Sequence, residues 1–205
     1  MRHGHNAGMK QDEEKDAPAQ QRAPDAAPRC GRGRRRAVAL VGMPGSGKST
    51  VGNCLARRLG LEFCDSDQWI EAQQRMSVRE FFAQHGEEAF RDLEAQALRE
   101  LLAAGGMVLA TGGGAVLRAE NRRVLHAQAC VLYLRSSPEQ LWRRLRHDTR
   151  RPLLQVANPQ QRLRELYAER DALYRACAHF VVNTHGLSLQ MLVNRVQMQL
   201  ELCGR

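Results

Sequence analysis

The chain of 205 residues predicts an α/β fold with three layers, in which a five-stranded parallel sheet is flanked by helices. Three observations lead there. Short apolar runs alternate with longer helical periods, the pattern of strands buried on both faces and joined by crossovers. The chemically unusual residues fall directly after those runs, where parallel sheets gather their ligands. The first run leads at once into "VGMPGSGKST", Val41 to Thr50, which fits the Gly-x-x-x-x-Gly-Lys-Ser phosphate loop between a strand and a helix.

Residues 1 to 36 come first, with nine Lys or Arg against five Asp or Glu and no Leu, Ile, Val, Phe, Trp or Tyr. Such a segment buries too little apolar surface to offset its ordering entropy, so a disordered basic tail is expected. The folded domain is expected over residues 37–205. Within it, Ala37 to Val41 reads as a buried strand, Lys48 to Leu59 as a helix and Leu61 to Cys64 as a short strand. Asp67 to Leu102 is amphipathic, with breaks near Ser77 and Gly86 that divide it into several helices. Met107 to Ala110, Cys130 to Leu134 and Phe180 to Val182 complete the strands. The remaining helices are expected at Ala119 to Ala127, Pro138 to Arg146, Pro159 to Ala176 and Leu187 to Leu202.

Composition narrows the function classes. No apolar run is long enough to span a bilayer, and the N-terminus lacks the apolar core of a secretory signal, which points to a soluble intracellular protein. The six cysteines are scattered, without C-x-x-C pairs, and read as reduced thiols rather than zinc ligands or disulfides. Net charge is +9, of which +4 belongs to the tail. The tail ends in "RGRRR" before the first strand, but no aromatic residues interleave to stack on bases, so it is read as a solvated leader and nucleic acid is not an expected partner.

The chemistry gathers at strand ends. In the phosphate loop, small residues let backbone amides reach phosphate oxygens at the positive end of the following helix. Lys48 would hold the terminal phosphates and Ser49 would ligate magnesium. "CDSD" offers Asp65 and Asp67, read either as N-caps of the next helix or as one carboxylate near magnesium and one facing a substrate hydroxyl. In "GEEAFRDLEAQALRELL", Arg91 and Glu94 are three residues apart and share a helix face. Gly112, Gly113 and Gly114 follow a strand directly, and three small residues in a row suggest close approach of a ligand to the backbone. "RLRHDTRRPLLQ", Arg144 to Gln155, sets arginines before a proline where the helical pattern breaks, as a basic loop covering transferring phosphate would.

In order and spacing, the segments Gly45-Ser46-Gly47-Lys48-Ser49-Thr50, "DSD", "GEEAFRDLE", "TGGGAV", "RRPLL" and "YAERDALY" resemble those of the shikimate kinases, and the resemblance covers Ala37 to Leu202. It implies a nucleoside-monophosphate-kinase type of fold with a substrate-binding helical segment and a lid. It also implies transfer of phosphoryl from MgATP to the 3-hydroxyl of shikimate, a step towards chorismate and the aromatic amino acids. Matched residue by residue, Gly45 to Thr50 would cradle ATP. Asp67 would hold the hydroxyls of shikimate and orient the attacking one, while Arg91 and Arg170 would grip its carboxylate. The amide of Gly113, beside Gly114, would meet a hydroxyl, Phe82 would wall the pocket, and Glu94 would brace Arg91. Arg151 would reach the ATP phosphates from the lid, Arg144 would pack on adenine, and Asp65 would touch magnesium through water. A cytoplasmic monomer acting on two small molecules, with Mg2+ as cofactor, is the accompanying expectation. "NTHGLSL" departs from the pattern at Leu187, where some relatives place a polar or basic side chain near adenine. Rival readings are a gluconate-type kinase of the same architecture, a non-catalytic nucleotide-binding protein and a nucleic-acid-associated NTPase.

Overall fold

The computed structural model describes residues 36–146 and 158–202, together with Met1 and Val156. The leader expected over residues 1 to 36 falls outside them except for its two ends, and Arg151 falls outside them as well. Twelve elements run in the order β1 (Ala37–Val41), α1 (Lys48–Leu59), β2 (Glu62–Asp65), α2 (Ser66–Gln74), α3 (Val78–Ala104) and β3 (Met107–Ala110). They continue with α4 (Ala119–Gln128), β4 (Ala129–Arg135), α5 (Pro138–Leu145), α6 (Pro159–Cys177), β5 (Phe180–Asn183) and α7 (Leu189–Leu202).

The five strands form one sheet in the order β2-β3-β1-β4-β5, with every neighbouring pair parallel. Period-two alternation decides which helices cover which face. Val38 and Leu40 point to a layer containing Val51 and Leu55 of α1 and Val193 and Val196 of α7. Ala37, Ala39 and Val41 point the other way, to Leu98 of α3, Leu125 of α4, Leu141 of α5 and Leu163 and Tyr174 of α6. A satellite cluster of Ile70, Phe81, Phe90 and Ala97 joins α2 to α3. Because β1 lies centrally and the chain leaves it first towards β2 and later towards β4, the loops after β1, β2 and β3 open on one crevice.

Element ends follow local chemistry. Ser77 and Glu80 form a capping box at the start of α3, and Ser137 and Gln140 do the same for α5, whose first residue is Pro138. The stretch expected to hold several helices holds α2 and α3, and α3 is itself two helical segments that meet at Gly86, whose φ of 81° and ψ of 176° are not helical, so the chain breaks at both expected points. The final helix begins at Leu189, two residues after the expected Leu187, and the second strand runs from Glu62 rather than Leu61. Arg36 is anchored: its Nη2 donates to the carbonyls of His126 at 2.8 Å and Ala127 at 3.3 Å, at the C-terminal end of α4 where unpaired carbonyls attract a cation. Among the described residues no helix is long and apolar enough to cross a membrane.

Candidate active site

The phosphate loop follows β1. Gly42, Gly45 and Gly47 take φ of 148°, 80° and 96°, values that side chains disfavour, and Gly47 is the N-cap of α1. Lys48 arches back over the loop and its Nζ donates to the carbonyls of Gly42 at 2.8 Å and Met43 at 3.1 Å. Gly45, Ser46, Gly47, Lys48, Ser49 and Thr50 line a cavity of about 430 Å³ together with Arg144 and Leu145 of α5 and Leu187, Leu189 and Leu192. Ser46 is wholly buried, and among the described residues its Oγ has no hydrogen-bond partner. Arg144 belongs to the last turn of α5 rather than to an irregular loop, and its Nη1 donates to the Gly45 carbonyl at 3.2 Å. Leu187 presents an apolar side chain at the rim.

The two readings of "CDSD" turn out to be compatible. Asp65 is the N-cap of α2, its Oδ1 accepting from the Asp67 amide at 3.1 Å. Its Oδ2 accepts from the hydroxyl of Ser49 at 2.6 Å, which ties the end of β2 to the phosphate loop. Asp67, one residue into α2, is aimed elsewhere. A Cβ added to Gly112 would lie 2.6 Å from Asp67 Oδ1 and 2.7 Å from Glu94 Oε1, so the loop after β3 and both carboxylates crowd one spot.

The glycine run is what lets the arginines in. A Cβ on Gly114 would stand 2.2 Å from Arg91 Nη1 and 2.5 Å from its Cζ, so the guanidinium lies directly over Gly114. On its other sides, Phe82 and Phe90 place their ring centroids 5.9 and 5.6 Å from Cζ. Nη1 donates to Glu94 Oε2 at 3.0 Å, while Nε and Nη2 both donate to Glu87 Oε1, at 3.2 and 2.8 Å. Burial works against the Arg91 charge, but Glu94 and Glu87 outweigh it and raise the pKa. Arg170, 4% exposed, reaches the same loop from α6, its Nη1 donating to the Gly113 carbonyl at 3.4 Å. Glu94 is pushed up to about 7 by burial, against the pull of Arg91 and Arg170 and with a further push from Asp67.

Sequence reasoning missed the groups that hold this loop. The Gly112 amide donates to Ser66 Oγ at 2.9 Å, and the Tyr174 hydroxyl donates to the Gly113 carbonyl at 2.5 Å. Tyr174 stacks on Tyr133 of β4, whose hydroxyl donates to Asp171 Oδ1 at 2.8 Å. Ser66 lies inside "DSD" and Tyr174 four residues after Arg170, a helix-face spacing that was the available signal. With Gly112 and Gly113 pinned in this way, no hydrogen bond to the Gly113 amide is found among the described residues. Of the residues expected at the site, those of the phosphate loop and Arg144 line the cavity, Asp65 is bonded to Ser49, and Asp67, Phe82, Arg91, Gly113, Gly114 and Arg170 gather around the glycine loop; Arg151 lies outside the described residues.

A sequence profile described as shikimate kinase matches residues 44–201. A shikimate kinase of Paracidovorax citrulli is 53% identical over 176 residues, covering 84% of this chain and 96% of that protein. One from Chromobacterium violaceum is 48% identical over 161 residues, 78% of this chain and 88% of its own. Among solved structures, shikimate kinase from Acinetobacter baumannii in complex with shikimate superposes with a TM-score of 0.79 at 42% identity, covering 83% of this chain and 95% of that one.

Proposed function

The chain belongs to the shikimate kinase family, an enzyme family that moves a phosphoryl group from ATP to the 3-hydroxyl of shikimate, and on that premise we propose how its own residues do so. Lys48 and the loop amides of residues 45–50 hold the ATP phosphates. Arg91 and Arg170 grip the shikimate carboxylate, bidentate recognition to which guanidinium is suited. Asp67 accepts a hydrogen bond from the attacking hydroxyl and aligns it with the terminal phosphorus, and the Gly113 amide and the Gly114 backbone receive a second hydroxyl. Phe82 closes the wall. Arg144 faces the nucleotide from α5, and Arg151 supplies positive charge from the lid. Such positioning and charge stabilisation are the main tools of phosphoryl transfer, since the transition state demands little covalent chemistry of the protein.

The hydroxyl of Ser49 and the carboxylate of Asp65 are hard oxygen donors at the edge of the phosphate loop, 2.6 Å apart, and fit a magnesium ion, Asp65 acting through water. Magnesium keeps several waters and takes phosphate oxygens, so two protein oxygens are enough to hold it there. Bound there, it would neutralise charge on the bridging phosphate oxygens. We further read the protein as a cytoplasmic monomer acting on two small molecules.

The observation that carries this reading is the convergence of Asp67, Arg91 and Arg170 on the Gly112–Gly114 loop, beside rather than inside the phosphate cavity. The test is ADP release from MgATP with shikimate, with gluconate and without acceptor, the product phosphate being located by NMR. Stimulation by shikimate alone, with phosphate on the 3-hydroxyl, is expected. Equal release with all three would argue for a nucleotide hydrolase instead.

A further inference from the structure

Arg91 is held by two carboxylates, and these partners are unlike. Glu94 is 1% exposed and fixed in the core, whereas the side chain of Glu87 is 63% exposed. Glu87 Oε1 takes both Nε and Nη2, the side-on pair of donors by which a guanidinium binds a carboxylate, at 3.2 and 2.8 Å. Glu87 also follows Gly86 directly, at the kink where the helical ladder is interrupted.

We propose that Glu87 is a stand-in carboxylate: in the empty enzyme it occupies the Arg91 donors that the substrate carboxylate takes, and it swings out when the substrate enters. This inference rests on the reading of Arg91 as the carboxylate clamp. The arrangement has a physical use. Arg91 is only 11% exposed and needs a counter-charge that keeps the guanidinium flat over Gly114 before substrate arrives. Glu87 supplies that charge from a side chain that stays largely in water, so its end of the pair costs little to release. The incoming acid gains Arg91 and Arg170 together, whereas a neutral polyol cannot displace Glu87. Glu87 therefore sets a threshold favouring acids over neutral acceptors.

The test is steady-state kinetics of the full-length enzyme with Glu87→Ala, Glu88→Ala and Arg91→Ala. Glu88 is exposed, adjacent and of the same charge, but it makes no side-chain contact with Arg91 among the described residues, so it controls for general electrostatics. Glu87→Ala is expected to lower the KM for shikimate by about two- to fivefold with kcat and the KM for ATP unchanged, the range that an exposed ion pair of this kind would set. Glu88→Ala should leave the KM for shikimate within error. An unchanged or raised KM in Glu87→Ala, or an equal fall in Glu88→Ala, overturns the proposal. Arg91→Ala separates the two levels of the argument: if it leaves the KM for shikimate unaltered, the clamp itself is wrong. If it raises KM while Glu87→Ala does not lower it, only the stand-in is wrong.

Discussion

Asp67 illustrates how little of a residue's role its type reveals. Two carboxylates stand two positions apart, and Asp65 takes the capping work and the contact with Ser49, which leaves Asp67 turned towards the glycine loop. Replacing it by Asn keeps the shape and removes the charge proposed to align the attacking hydroxyl. Turnover of Asp67→Asn is expected to fall by about two orders of magnitude or more, with ATP affinity nearly intact, as read by single-turnover kinetics and equilibrium ATP titration. Wild-type turnover would remove Asp67 from the mechanism. Tyr174 acts through another group. Its hydroxyl anchors the Gly113 carbonyl, and Tyr174→Phe is expected to raise the KM for shikimate severalfold while the KM for ATP stays put. A change in both constants alike would point to a general loss of packing at the Tyr133 stack instead.

At the scale of elements, α3 does two jobs on either side of Gly86. Its first part packs Phe81 and Phe82 around the satellite cluster, and its second part carries Glu87, Arg91 and Glu94 on one face before burying Leu98 and Leu101 against the sheet. The helix begins at a capping box in which Ser77 Oγ accepts from the Glu80 amide at 3.2 Å and Glu80 Oε2 accepts from the Ser77 amide at 2.8 Å. Ser77→Ala is expected to cost about 1 kcal/mol in urea unfolding without altering kcat, because the cap lies away from the reacting groups. Helix α6 works differently: Arg170 and Tyr174 are one turn apart, so docking one face delivers a charge and a hydroxyl to the same carbonyl. Asp171, on the adjoining face, accepts from Tyr133 and Arg175 and is held below the usual carboxylate range by them despite the opposing effect of burial.

For the molecule as a whole, Glu94 gives stability a pH signature. Its folded pKa, about 7, lies above the ordinary carboxylate value, so the folded protein binds its proton more tightly than the unfolded chain does. The stabilisation is therefore fully present below about pH 4.5 and is lost as pH rises through 7, roughly 3 kcal/mol in all. Glu94→Gln should lose less stability than wild type between pH 5 and pH 8 in urea titrations. An identical loss in both proteins would show that Glu94 is ionised throughout. Arg36 ties the start of β1 to the end of α4. A chain beginning at Arg36 is accordingly expected to keep wild-type kcat and KM, and a large loss of activity would give the leader a part in catalysis.

Much of this architecture was legible in the chain because its signals are local. The central strand, the helix after the phosphate loop and the third strand were read to the residue, since buried parallel strands are short apolar runs bounded by glycine. The phosphate loop, "DSD" and the glycine run announced themselves by position after those strands. The kink of α3 was legible only as a break, because a glycine marks a possible interruption and packing decides whether the helix resumes. What the sequence by itself determined was the order of strands and helices, the phosphate loop and the kinship to shikimate kinases. What only the tertiary structure decided was which groups meet. Ser66 on Gly112, Tyr174 on Gly113 and the contrast between a buried Glu94 and an exposed Glu87 are contacts across elements or differences of burial, and both arise only when the helices close on the sheet.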